Sequence, residues 1–350
     1  MLLAGCPTWD ASRDTDGPAL ATKSDSLNGT ALLTRVRRSV QSSLQGRRLD
    51  VQRQGAWQIM HGVLAHGHAL QIVAGDRDVS ALDYLLEGGV LAGFDPAPGD
   101  MIEGSRGLRF AFQPSTKVGQ GHRDQWLAIL AQCDLSLDQQ IAVPWGEPNL
   151  EDVLRQAEWD VPLNYEAEFS WTLIGLSIFR STKHTWVARD GNRYSTELLL
   201  QSELTEDLAD SVCGGTHRLI GIAMVVRKRR AEGLPMTGVW AEAEAVLNAA
   251  VELGRQNQNG DGSFSPSYLH RPGWARDLGE QLGTTGHVLE FIALAASQEE
   301  LRSPWIERTV ERVCVLLDQC HEEDLECGAL YHAVHGLQEY LAACDRHTGT

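Results

Sequence analysis

Six short, mostly apolar segments rich in small residues recur along the chain, and six amphipathic segments with charged outer faces alternate with them. The apolar segments cover residues 55–67, 122–134, 167–179, 213–226, 283–296 and 328–343. A helix that is apolar all round must be buried on every side, whereas an amphipathic helix covers a core with one face. The alternation therefore predicts an all-α fold of six hairpins, each pairing an outer helix with an inner one.

The spacing of corresponding residues favours a closed arrangement of these hairpins. Thr172 and His217 are 45 residues apart, and so are His287 and His332. Periods of this length are typical of helical-hairpin arrays. An open solenoid is the competing architecture, but it needs polar caps at its ends, and the terminal hairpins here are no more polar than the middle ones. The sequence therefore predicts a single (α/α)6 toroid over residues 29–346.

The segments between the inner helices set the remaining boundaries. Outer helices are predicted at 30–45, 78–88, 149–158, 195–209, 238–256 and 303–320, and the fifth inner helix at 284–297. Residues 89–121 are rich in Gly and Pro and are predicted as a long rim loop with a β-hairpin at Leu108–Gln113. Asp190-Gly191, flanked by alternating apolar positions, predicts a second hairpin at 185–195.

Charge and the N-terminal tail bear on partners and location. The formal net charge of −17 argues against a nucleic-acid partner, because phosphate binding needs clustered Lys and Arg. Residues 1–28 are predicted to be a tail, and Leu2–Cys6 match a bacterial lipobox that would lipidate Cys6. The match predicts a cell-envelope or periplasmic lipoprotein with the membrane contacted only through this anchor. If it arises by chance, the protein is expected to be cytoplasmic.

The stretch at 241–266 resembles the repeat of terpenoid cyclases and protein prenyltransferases, in which an amphipathic helix ends in Gln before Asp-Gly-Ser and an aromatic residue. The matching positions are Gln256 or Gln258, Asp261, Gly262, Ser263 and Phe264. The resemblance extends over the last 200 residues or so and implies the toroid fold. The catalytic Asp-x-Asp-Asp of the cyclases has no counterpart here. Tyr331-His332 resembles the segment with the prenyltransferase zinc-binding His, but GTTGH stands where the Asp-x-Cys would be.

A second resemblance concerns the inner helices. Gly286-His287-Val288-Leu289-Glu290 and Tyr331-His332 are similar to segments of N-acylglucosamine and cellobiose 2-epimerases, and THRLIGIA with His217 is similar to another. In that family the two late histidines act as acid and base on opposite faces of a sugar carbon. The resemblance therefore implies His287 and His332 as the catalytic pair.

The residues themselves point to the same catalytic set: His287, His332, Glu290 and His217. Histidine suits proton transfer near neutral pH, and His287 and His332 occupy corresponding points of consecutive repeats. Glu290 follows His287 by one turn and is expected either to orient it or to hydrogen-bond a sugar hydroxyl. Helix N-termini at that end are expected to add positive potential that favours anionic groups. The competing interpretation is a buried His–Glu pair that only satisfies polar groups between hairpins.

Further side chains are candidates for binding. Aromatic residues near the starts of inner helices are predicted either to stack on sugar rings or to lie in the core, namely Trp126, Tyr165, Trp171, Tyr268 and Tyr331. His61 is a further candidate for the cavity lining. His335, one helical turn beyond His332, is expected either to join the cluster or to bond a backbone carbonyl, and the second is favoured. Cys213, four residues before His217, is a nucleophile, a zinc ligand or a small buried residue, and the last is favoured.

No cofactor and no metal are expected, since the sequence has no phosphate loop, no dinucleotide fingerprint and no CxxC motif, and HGVLAHGH has no nearby carboxylate. The sequence thus predicts a carbohydrate-acting isomerase, epimerase or lyase that binds a small molecule or oligosaccharide. A non-catalytic binding scaffold and a terpenoid-cyclase-like or prenyltransferase-like enzyme are the alternatives. The lining of the central cavity distinguishes them: polar and aromatic for a sugar, apolar for an isoprenoid, filled for a scaffold.

Overall fold

The computed structural model describes residues 29–164 and 168–346, and these ranges are mostly helical. They contain twelve α-helices, which confirms the predicted number: α1 (Gly29–Gly46), α2 (Ala56–His66), α3 (Ala81–Leu86), α4 (Gln125–Ala131), α5 (Leu150–Asp160), α6 (Ser170–Phe179), α7 (Thr196–Leu204), α8 (Thr216–Ala231), α9 (Val239–Asn257), α10 (Leu278–Ala295), α11 (Pro304–Gln319) and α12 (Cys327–Asp345). Cys6 and Tyr165, predicted for lipidation and substrate binding, lie outside the described residues. Within them, no helix has both the length and the apolar character needed to cross a bilayer.

The even-numbered helices contact one another in chain order. α2 packs against α4, α4 against α6, α6 against α8, α8 against α10, α10 against α12, and α12 returns to α2. Every residue of α10 from Gln281 to Leu294 is buried, as expected for a helix covered on all sides. Among the odd-numbered helices, α11 buries one face, whereas α5 is buried on more than one.

The first helix is joined to the last two. α1 packs against both α11 and α12. Arg37 bonds Asp345 at 2.9 Å, and Arg47 bonds Asp324 at 2.8 Å. Exposed pairs of this kind contribute little stability each. These two arginines, one on α1 and one just after it, therefore pair with acidic residues from the C-terminal part of the chain.

Seven short strands form three small sheets among the described residues: β1 (Leu49–Asp50), β2 (Gln71–Ala74) and β3 (Arg77–Ser80); β4 (Pro96–Ile102) with β5 (Ser105–Phe110); and β6 (Thr185–Val187) with β7 (Arg193–Ser195). β1 runs parallel to β2, and the other pairs are antiparallel. The β6–β7 hairpin is the one predicted at 185–195. An all-α description thus holds only in the coarser sense of a mostly helical chain.

Two boundaries differ from the prediction because turns were missed. The helix predicted at 78–88 is only α3, since Arg77–Ser80 pairs with β2 as a strand and Ser80 then caps the helix. The rim hairpin turns at Glu103-Gly104, where φ is 49° and 87°, and so lies earlier than Leu108–Gln113. Both residues of such a two-residue turn need positive φ, which Asn-Gly and Asp-Gly signal more clearly than Glu-Gly.

The contact between α10 and α12 is very close. A Cβ atom added at Gly286 would lie 2.6 Å from the Cα of Ala333, and one added at Gly336 would lie 2.8 Å from the backbone nitrogen of Glu290. Glycine therefore lets the two backbones touch. α10 also begins at Leu278, after the Asp277 cap and well before the predicted residue 284, because its glycines weaken the helical pattern in the sequence.

The 256–264 motif begins at the end of α9 and packs against α11. Gln258 is the motif glutamine, and its amide donates to the Trp305 carbonyl at 2.7 Å. Gly262 has φ +90°, and a Cβ there would be 2.3 Å from the Arg308 carbonyl oxygen. Phe264 is fully buried, and its backbone N–H donates to Thr285. The segment after α9 therefore packs against both α10 and α11.

Candidate functional site

A cavity of about 1650 Å³ opens at the end of the molecule where the even-numbered helices begin. Five histidines line it: His61 on α2, His122 just before α4, His217 on α8, His287 on α10 and His332 on α12. Each comes from a different inner segment. Five of the six predicted inner segments thus place an imidazole on the same cavity.

The five imidazole rings form one connected cluster. The centroids of His287 and His332 are 4.1 Å apart, and His217 lies 5.4 Å from His287 and 5.3 Å from His332. His61 lies 5.3 Å from His332, and His122 lies 5.3 Å from His217. The structure therefore brings together the three histidines that the sequence singled out. It places His287 and His332 in direct contact.

Glu290 is held by α12 rather than by its own helix. Nδ1–H of His332 donates to Glu290 Oε2 at 2.7 Å, and Nδ1–H of His335 donates to Oε1 at 2.6 Å. Burial raises the pKa of Glu290, but the charges and hydrogen bonds of these two histidines outweigh burial and hold that pKa well below its usual range. The expectation that Glu290 orients His287 is therefore corrected, and so is the expected carbonyl partner of His335. The close contact of α10 with α12 is the reason, because it brings Glu290 across to the neighbouring helix.

His287 and Cys213 form a coupled pair. Nδ1–H of His287 donates to the Gly283 carbonyl at 2.7 Å, which leaves Nε2 as the nitrogen available to other partners. Burial lowers the pKa of His287, but the charge and hydrogen bond of Cys213 outweigh it and raise the pKa to about 9. Burial opposes ionisation of the Cys213 thiol, yet His287 and Tyr268 lower its pKa. The pair is therefore polarised toward thiolate and imidazolium.

His217 occupies the centre of the cluster without a hydrogen-bond partner. It is 6% exposed, and neither Nδ1 nor Nε2 has a partner among the described residues. Burial and the neighbouring histidines, His332 first, lower its pKa well below 6.5. A buried polar atom without a hydrogen-bond partner destabilises a folded protein by about 1–3 kcal/mol, so such atoms are rare in native structures.

His122 and Glu168 belong to the site although the sequence did not single them out. Nδ1 of His122 pairs with Glu168, whose Oε1 also accepts the indole N–H of Trp171 at 3.1 Å. Burial raises the pKa of Glu168, but the His122 interaction outweighs it and lowers that pKa. His122 opens the second inner segment, as His217 nearly opens the fourth. That shared position is the signal that could have found it.

The predicted binding residues divide into two groups. His61 and Tyr268 line the cavity, together with Trp57 and Phe112. Trp126, Trp171 and Tyr331 lie in the core, at most 3% exposed. Trp171 supports the site indirectly, since its ring lies 5.0 Å from that of His217.

Carboxylates dominate the charge of the cavity. Nine acidic side chains line it against three basic ones, counted over the described residues. Two of them cap the helices that begin there: Asp277 accepts the Glu280 N–H at 2.8 Å on α10, and Glu326 accepts the Ala329 N–H at 2.9 Å on α12. These caps offset the positive N-terminal potential that was expected to favour anionic groups. Counted without its histidines, the lining is therefore net negative.

Two buried histidines of α2 predict a loss of stability in mild acid. Burial lowers the pKa of His61 to about 3 and that of His66 to about 4. In the unfolded chain the pKa of each histidine returns to about 6.5. The unfolded chain therefore binds these protons at a higher pH than the folded protein does, and the free energy of unfolding falls as the pH drops below 6.5. Each group contributes up to about 1.4 kcal/mol per pH unit. Urea unfolding between pH 7 and 5 should show a shallower pH dependence for His66→Gln than for the unaltered protein. Identical slopes would contradict a neutral, buried His66.

The cavity thus offers three kinds of chemistry side by side. His332 is oriented by Glu290 for proton transfer, Cys213 and His287 form a polarised thiol–imidazole pair, and His217 presents an unpartnered imidazole. The six cysteines within the described residues are free thiols. Comparison of the chain with protein-family models, with curated proteins and with solved structures gave no match.

Proposed function

We propose that the twelve helices form a closed (α/α)6 toroid, with the even-numbered helices as its inner ring. The cyclic order of contacts, from α2 through α12 and back to α2, supports this proposal. So do the contacts of α1 with α11 and α12, which join the first hairpin to the last. In such an arrangement the starts of the inner helices surround one cavity.

We propose further that the protein is an enzyme that performs acid–base chemistry on a carbohydrate in this cavity. The convergence of five histidines on its floor carries the proposal. His332 is the proton-transfer group, because Glu290 fixes Nδ1 as the protonated nitrogen and leaves Nε2 as the basic one. The resemblance to 2-epimerases implied that His287 and His332 lie on opposite faces of a sugar carbon. The structure does not fit that arrangement, because the two imidazole centroids are 4.1 Å apart and no sugar ring can lie between them.

The charge of the cavity narrows the substrate class. Nine carboxylates against three cations disfavour uronates and other polyanionic sugars. A neutral or amino sugar fits better, and the aromatic side chains of Trp57 and Tyr268 line the cavity. We therefore favour an isomerase or epimerase over a polyuronate lyase.

The two alternatives receive less support from the cavity. A scaffold with a filled centre does not agree with an open volume of about 1650 Å³. An isoprenoid site needs apolar walls, whereas histidines and carboxylates line this one. A non-catalytic sugar-binding protein remains the contrasting outcome of the test.

Hydrogen exchange at the substrate carbon tests the proposal. The protein is incubated in D₂O with neutral aldoses, N-acylated hexosamines and free amino sugars, and loss of the C2 proton is followed by NMR. We expect exchange with at least one of them, and His332→Ala should slow it by about 10²–10⁴. His68→Gln, which alters an exposed histidine, is the matched control and should leave the rate unchanged. Binding of a sugar without exchange would indicate a binding protein, and unchanged exchange in His332→Ala would contradict the assignment.

A further inference from the structure

Three potential metal ligands meet on the floor of the cavity. Cys213, His217 and His287 each present a ligand atom, and these atoms lie within 4.8 Å of one another. Cys213 sits in a left-handed turn (φ 52°) directly before α8, His217 follows one helical turn later, and His287 comes from α10. All three line the cavity. The fold therefore gathers one thiol and two imidazoles, from a turn and two helices, at the lining of a cavity.

The state of His217 indicates that a partner is missing from this cluster. It is more than nine-tenths buried, and both of its ring nitrogens are without a hydrogen bond. No other described histidine that lines the cavity is in this state. A metal ion would give one nitrogen a partner and would offset the cost of burying it.

The hydrogen bonding of His287 fits the same role. A histidine that binds a metal almost always donates its other ring N–H to a carbonyl or carboxylate, which fixes the tautomer. Nδ1–H of His287 donates to the Gly283 carbonyl at 2.7 Å, so Nε2 is the nitrogen that faces the Cys213 thiol. Zinc would replace the proton that Nε2 and the Cys213 sulfur share, and Nδ1 already has the carbonyl partner that is typical of a metal-binding histidine.

We propose that Cys213, His217 and His287 bind a zinc ion whose fourth position opens into the cavity. One thiolate and two imidazoles suit zinc, whereas calcium and magnesium prefer oxygen ligands. Zn–S near 2.3 Å and Zn–N near 2.0–2.1 Å in a tetrahedron place ligand atoms roughly 3.5 Å apart, so side-chain shifts of about 1 Å complete the site. Three protein ligands with one open position are typical of catalytic zinc.

A second cluster shares His217 but is less suited to hold the ion. The ligand atoms of His122, Glu168 and His217 also lie within 4.8 Å of one another. His122 and Glu168 already pair with each other, and Glu168 accepts further bonds from Ser170 and Trp171. An ion at Glu168 would compete with these three bonds, and this cluster offers no thiolate, so the ion is assigned to the thiol-containing set.

The ion would lie beside the proton-transfer residue. His332 contacts His287, so a water or substrate oxygen in the fourth position lies close to the proposed acid–base group. Zinc there would polarise a carbonyl or acidify a bound water. The site itself does not rest on the carbohydrate proposal, because metal binding is measured without any substrate.

Cobalt and zinc titrations of the full-length protein test the inference. After removal of metals by chelation under reducing conditions, we expect one equivalent of Zn²⁺ or Co²⁺ to bind. The cobalt form should show the intense visible bands of a tetrahedral site and a near-ultraviolet thiolate charge-transfer band. Cys213→Ser and His287→Gln should each weaken zinc binding by more than about 100-fold, because loss of even an outer hydrogen-bond partner typically costs 10–100-fold.

Matched controls separate this site from its neighbours. Cys320→Ser alters another cysteine that lines the cavity, and His122→Gln alters the competing cluster. Both should retain the stoichiometry and the cobalt spectrum. Circular dichroism checks that each variant folds. If Cys213→Ser does not fold, the presence or absence of the thiolate band in the cobalt form of the unaltered protein still tests the proposal. Substoichiometric metal in the unaltered protein, absence of that band, or its persistence in folded Cys213→Ser would overturn the proposal.

Discussion

Replacement of Glu290 by leucine is expected to lower the free energy of unfolding by about 3–5 kcal/mol. That is the usual cost of removing one partner from a buried ionic pair. Glu290 is 2% exposed and accepts the Nδ1–H groups of both His332 and His335. Leucine fills much of the volume but leaves both donors buried without a partner. Urea denaturation at pH 7 measures the difference.

Two further variants sharpen this result. Glu339→Gln changes a more exposed acid of α12 that lies 3.9 Å from His335 Nε2, and should cost less than about 1 kcal/mol. Glu290→Gln keeps one acceptor oxygen, so its loss of unfolding free energy should lie between the losses from Glu290→Leu and Glu339→Gln. A loss from Glu290→Leu no larger than that from Glu339→Gln would mean that Glu290 is not the bridge between α10 and α12.

A methyl group at position 286 is expected to destabilise the protein by about 1–3 kcal/mol or more, as overpacking does in well-packed cores. The added Cβ of Gly286→Ala would lie 2.6 Å from the Ala333 Cα, so two backbones must separate. This separation also moves Glu290 away from α12. Thermal and urea denaturation measure the loss.

Gly254→Ala on α9 is the matched control, with an effect of the opposite sign. Its Cβ would meet only Ile292 and Phe264, each at 3.9 Å, which is ordinary contact. Alanine is favoured over glycine in a helix interior by about 0.5–1 kcal/mol, so this variant should be more stable. If Gly286→Ala is also stabilising, the close approach of α10 and α12 is wrong.

The helical periodicity was sufficient to predict the twelve helices, because burial on one face or on all faces leaves a direct trace in the order of apolar residues. α9 and α11 differ from their predicted ranges by a single residue at either end. The small sheets were harder to predict from the sequence. Most of β3 was predicted as part of the helix at 78–88, because an alternating pattern over four residues cannot be distinguished from a helical one.

The candidate site was predictable as a set of histidines but not as a set of bonds. His217, His287 and His332 could be aligned by their repeat positions, and His122 was overlooked although it opens an inner segment. The partners of Glu290 depend on how closely α10 and α12 approach, and that distance follows from Gly286 and Gly336 acting together across two helices. Periodicity within one helix gives no information on such a contact. The approach of Tyr268 to Cys213 is likewise determined by a loop.

The contact between α2 and α12 has a consequence for biosynthesis. His61 and His332 meet from nearly opposite ends of the described chain, and the residues between them must all be synthesised before they can touch. Contacts of such high sequence separation fold slowly, and a growing chain would expose the apolar side of α2 until α12 leaves the ribosome. We therefore expect chains truncated before residue 327 to aggregate and to engage chaperones during translation.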